Sequence, residues 1–124
     1  MQSVLVDANR LLQAGQAEHA LARLAPVLAG RPPVDARMLA GMAARALGRL
    51  DAAEGHFARA VQAAPGNPDI ANIHANALSA LGRHKDAVAA FDRLLAKHPA
   101  HLDGHCNRAL AQIEAGEFAA AVSA

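Results

Sequence analysis

Histidine and cysteine are the side chains of this 124-residue sequence with the widest chemical reach: seven histidines and a single thiol, Cys106. His101 and His105 stand four residues apart with His98 close by, a spacing that can bring imidazoles onto one helical turn. A zinc centre needs three or four converging ligands with an ordered second shell, and Pro99 interrupts this run. Solvated loop histidines and no metal are expected. Cys106 has no His/Asp partner placed to activate it, so a buried or inert thiol is expected. The glycines form neither a GxGxxG nor a Walker pattern. Nothing supplies a pocketed nucleophile, base or phosphate loop. The segment is therefore expected to be non-enzymatic and to need no cofactor.

Composition narrows what could position any site. Of the 124 residues 34 are Ala, and Thr, Tyr and Trp are absent, which favours helix and nearly excludes a β-rich domain. Apolar residues make up 53% and the net charge is only +1, so the chain has the means to fold. That balance, with 2% aromatics, gives neither the electrostatic footprint nor the stacking platform of a nucleic-acid binder. Arg23, Arg31, Arg37, Arg45, Arg49 and Arg59 are scattered like a solvated face. No apolar run approaches the ~20 residues that cross a bilayer, and Met1–Asp7 lacks the character of a signal peptide. One cysteine cannot form an internal disulfide, so a reducing, cytoplasmic setting is expected.

A fixed period organises the chain. Gly15, Gly48, Gly82 and Gly116 recur at intervals of 33, 34 and 34 residues, and Ala20, Ala53, Ala87 and Ala121 follow in the same register. Leu24, Phe57 and Phe91 lie four residues further on, and Pro32, Pro65 and Pro99 close the units. Ala8, Gly41, Ala75 and Ala109 make another column of small residues. Each unit reads as two helices with a glycine turn between them and a proline after the second. Asp35, Asp69 and Asp103 fall at helix starts, where carboxylates can cap exposed N–H groups. Pro26 should kink or shorten the second helix of the first unit. The small columns permit close approach of paired helices, and the phenylalanines fill the space between units.

These columns resemble the tetratricopeptide repeat (TPR). Ala53–Phe57–Pro65 and Ala87–Phe91–Pro99 carry the second half of its pattern, and Ala20–Leu24–Pro32 carries it with Leu for Phe. The aromatics of its first half are replaced, for example by Arg37 and Ala44 in the second unit. The resemblance implies an all-α, right-handed superhelical solenoid of antiparallel helix pairs over residues 1–124. Repeats would cover about 1–33, 34–67, 68–101 and a truncated 102–124, giving seven complete helices and a shortened eighth from near Phe118.

It also implies that the first helix of each pair lines a concave groove. The side chains it places there include Leu5, Asn9, Leu12, Asp35, Met38, Met42 and Arg45. Asp69, Asn72, Asn76, Ser79, Asp103, Cys106, Asn107, Leu110 and Ile113 continue the set. Amides can bond a peptide backbone, and Met and Leu suit an apolar or helical ligand. The cationic clamp that some TPR proteins use for chaperone tails is not reproduced: Asn9 matches, but Leu5, Leu39, Asp69 and Ile73 hold the other places. The expected function is a scaffold binding a peptide, helix or partner domain in that groove. The alternative is an N-terminal TPR module of a longer bacterial enzyme, such as a sulfotransferase or glycosyltransferase. Leu110, Ile113, Phe118 and Val122 should form an exposed apolar end, expected either to continue into more protein or to pair as a homodimer.

Overall fold

In the computed structural model the backbone of residues 2–123 and the side chains of residues 3–116 are described. Among them are seven helices and no strand: α1 (Gln2–Gln13), α2 (Ala17–Leu28), α3 (Val34–Ala46), α4 (Leu50–Ala63), α5 (Pro68–Ala80), α6 (His84–Lys97) and α7 (Leu102–Ser123). They fall into two compact units, residues 1–64 with α1–α4 and residues 65–124 with α5–α7.

Gly15, Gly48 and Gly82 take positive φ of 78°, 75° and 81°, the left-handed conformation that reverses the chain after a helix. At Gly48 the closure is complete: Gly48 N–H donates to Arg45 C=O (3.0 Å) and Arg49 N–H to Ala44 C=O (2.9 Å). The same pair of hydrogen bonds closes the turn at Gly82, which ties down carbonyls that the helix end would leave unpaired.

Small side chains then let the helices meet. In the first unit Leu24 is fully buried against Ala8, Ala36 and Ala40, while Ala17, Ala20 and Ala43 form a neighbouring cluster. Phe57 is also fully buried, with its ring against Gly41. In the second unit Phe91 is buried with Ala75, Leu78, Ala87, Ala90, Leu94 and Ala111. Ala53 and Ala87 are 1% and 0% exposed, so a larger side chain there has no free space. Ala87→Leu should overpack the α5/α6 pair and cost ~1–3 kcal/mol in urea unfolding. A neutral result at both alanines would show that the close-contact column lies elsewhere.

Three expectations are corrected. The turn at Gly116 is not made: α7 runs on through it to Ser123, as one helix of 22 residues. A glycine inside a helix costs only about 1 kcal/mol against alanine, and continuing the helix keeps its backbone bonded. Ala109, in the small-residue column, is accordingly exposed. The side chains of Phe118, Ala121 and Val122 lie outside the described residues.

The aspartates are not the caps. Asp35, Asp69 and Asp103 are each the second residue of their helix, already helical, where they complement the dipole. Asn67 caps α5, its Oδ1 accepting from Asp69 N–H (3.0 Å) and Ile70 N–H (3.2 Å). At α7 the Nδ1 of His101 accepts from Gly104 N–H at 2.9 Å.

The loop histidines His98 and His101, and His105 in the first turn of α7, are, finally, held rather than merely solvated. His101 also points Nε2 at Asp69 (3.6 Å), His98 meets Gly66 C=O (3.1 Å), and His105 meets Pro99 C=O (2.7 Å). Pro26 leaves α2 intact but short, at 12 residues against 14 for α4 and α6.

Candidate functional site

Residues three and four apart share a helix face, so Leu5 and Asn9 of α1 and Asp35, Met38 and Met42 of α3 each form a row. Together with Val6 and Leu39 they line a cleft of about 390 Å³. Met38 is buried, Leu5, Leu39 and Met42 are half-buried, and Val6, Asn9 and Asp35 are exposed. The wall is therefore aliphatic and thioether, with one amide and one carboxylate at its accessible edge. Such a surface takes an apolar side chain and offers a donor and an acceptor to whatever carries it.

The second unit has a smaller cleft of about 240 Å³ between α5 and α7, and its chemistry is different. Asn76, Ser79 and Asn107 are half-buried in it beside exposed Leu110 and Glu114. Asn107 Nδ2 donates to Asn72 Oδ1 at 3.0 Å, which fixes both amides in place. Ser79 Oγ donates to Glu114 Oε2 (3.1 Å) and lies 2.9 Å from His84 Nδ1, itself 3.0 Å from Glu114 Oε2. A serine, a histidine and a carboxylate thus meet, a grouping the sequence reading missed. Both partners share one ring nitrogen, whereas a catalytic relay places serine and carboxylate on opposite nitrogens. The triangle orients side chains at the cleft wall and does not activate Ser79.

Other predicted groove residues go elsewhere. The Arg45 guanidinium lies over the Phe57 ring, 5.7 Å from its centre, and lines neither cleft. Leu12 packs on the cluster of Ala17, Ala20 and Ala43. Cys106 is exposed rather than buried, and does not line the α5/α7 cleft. No group of three metal-ligating side chains converges among the described residues. His56 of α4 is pushed below the usual histidine range by burial, with Arg37 and then Arg59 adding repulsion.

Two tetratricopeptide repeat family models match the sequence, over residues 5–68 and 44–113. The chain belongs to the tetratricopeptide repeat family. Solved TPR structures agree on the fold at low identity. A crystal structure of MamA matches with a TM-score of 0.82 at 19% identity, covering 98% of this chain and 67% of that one. The second TPR domain of human RPAP3, in complex with the HSP70 peptide SGPTIEEVD, matches at 0.78 and 16%, covering 89% and 92%. A Thermobaculum terrenum O-GlcNAc transferase mutant matches at 0.73 and 22%, with 89% of this chain against 21% of that one. No curated protein matches the sequence. No described helix of this TPR chain is long and apolar enough to cross a membrane.

Proposed function

We propose that this TPR chain is a non-catalytic interaction module, each unit offering a face to a segment of a partner protein: α1/α3 in the first and α5/α7 in the second. The observation that carries this reading is the pair of clefts: first helices present aliphatic, thioether and amide groups around open space. Peptide backbone and apolar side chains are what such groups hold best. The peptide bound to the second RPAP3 domain supports an occupant of that kind. A cytoplasmic location fits the single free thiol. The partner in this reading is a protein, neither nucleic acid nor a membrane.

The amides give the test. With a cognate peptide recovered by pull-down, Asn72→Ala/Asn76→Ala should weaken binding roughly tenfold, through loss of the Asn76 amide from the cleft and of the Asn72 carbonyl that holds Asn107 in place. The melting temperature should stay nearly unchanged. Unchanged affinity would place the site elsewhere, first of all in the Met38/Met42 cleft.

The T. terrenum enzyme favours a second reading, in which the chain is the TPR module of a longer enzyme. The exposed Leu110 and Ile113, 56% and 55% accessible, support either further packing against such a protein or pairing with a second copy.

A further inference from the structure

We propose that the α1/α3 cleft selects a cationic apolar segment, seating a Leu- or Met-sized side chain on its wall with a neighbouring Lys or Arg at Asp35. This rests on the interaction-module reading and adds the chemistry of the partner.

The first support is the lining itself. Leu5, Val6, Met38, Leu39 and Met42 make it apolar, and Asp35 is its one charged member. Its volume of about 390 Å³ falls within the roughly 300–1,000 Å³ of ligand pockets. An apolar wall alone would accept any hydrophobic segment. The carboxylate makes it discriminate.

The second support is how the other charges of this unit are engaged. Asp7 pairs with Arg23 at 3.2 Å, and Glu18 pairs with Arg49. Asp35 is exposed and has no ion pair among the described residues. Of the cations that could neutralise it or hold an acidic ligand, Arg45 lies over the Phe57 ring, and neither Arg37 nor Arg59 lines the cleft. Arg10 and Arg31 are exposed and do not line the cleft. An exposed carboxylate at the edge of an aliphatic cleft attracts a cation and repels a carboxylate, an effect that salt weakens. The partner is therefore expected to differ in charge from the acidic peptide SGPTIEEVD.

Asp35 also complements the α3 dipole, and Asp51 provides the comparison. Each is the second residue of its helix, but Asp51 does not line the cleft. Reversing either charge changes the net charge and the dipole contribution alike. Only Asp35 should change ligand choice.

The test uses the full chain and three fluorescein-labelled peptides of equal length, with Leu alternating with Lys, Ser or Glu, read by fluorescence anisotropy at low salt. The Lys peptide should bind roughly three- to fivefold tighter than the Ser peptide, with the Glu peptide weakest, and high salt should compress the order. Asp35→Lys should reverse the order, and Asp51→Lys should leave it unchanged. Val6→Gln, at an exposed cleft position, should weaken all three. Equal binding of the three peptides, still weakened by Val6→Gln, would overturn the charge selection and leave the groove reading standing. A preference for Lys that persists in Asp35→Lys would do the same. Absence of binding by the Lys peptide, or binding indifferent to Val6→Gln, would sink the proposal and the groove reading for this cleft together.

Discussion

Phe57→Ala should destabilise the first unit by about 3–5 kcal/mol, the usual cost of removing a fully buried ring. The ring has no exposed surface, Gly41 packs against it, and the Arg45 guanidinium lies over it. Alanine would leave a void between α3 and α4, which fixed helices can only partly close. Phe91→Ala should have the same effect in the second unit, where the ring fills the space among Ala75, Leu78, Ala87 and Leu94. A domain is stable by only about 5–15 kcal/mol, so either change removes a large share. With no Trp or Tyr to report, unfolding is followed by far-UV circular dichroism in urea and by amide exchange. Exchange should accelerate most in α3 and α4 for Phe57→Ala, and in α5 and α6 for Phe91→Ala. A loss below about 1 kcal/mol at both sites would mean that the rings do not fill the core.

The fold was legible because its period is written in residues that have few alternatives. Gly15, Gly48 and Gly82 occupy a backbone conformation that side chains resist, and Ala53 and Ala87 sit where a Cβ is all that fits. Gly116 carries the same letter without the same consequence. A glycine permits a turn, but packing of the following helix is what favours one, and that term is not visible in the letter itself. The helix starts were legible to within one residue. Asp35, Asp69 and Asp103 marked the right places by their affinity for the dipole, while Asn67 and the His101 ring supply the cap bonds.

The cleft chemistry was legible in kind and only partly in detail. Rows such as Leu5/Asn9 and Met38/Met42 follow from helical periodicity. The Asn72–Asn107 bond and the Ser79–Glu114 bond join residues 35 positions apart in both cases. That is the repeat length plus one, the offset at which α5 and α7 face each other, and a search at that offset would have found both. Arg45 could not be placed in this way. Its long side chain chooses between groove and ring, and Phe57 lies on another helix.

Gly41→Leu should cost the first unit about 3 kcal/mol, near the upper end of the usual range for overpacking. A Cβ at Gly41 would stand 2.4 Å from Phe57 Cε1 and 2.8 Å from Cζ, closer than carbon atoms can approach. The ring cannot yield cheaply, because it is buried on all sides. Even Gly41→Ala should lower the urea midpoint, although alanine is favoured in a helix by about 1 kcal/mol. Gly55 is the matched control. It lies inside α4 of the same unit, and a Cβ there would meet nothing within 4 Å. Gly55→Ala should therefore raise the midpoint, so the same substitution has opposite signs at two helical glycines. The double variant Gly41→Leu/Phe57→Ala isolates the contact, since the new side chain would occupy part of the space the ring leaves. Its loss should fall well short of the sum of the two single losses. Strict additivity would show that the Gly41–Phe57 contact is not what requires glycine at this position.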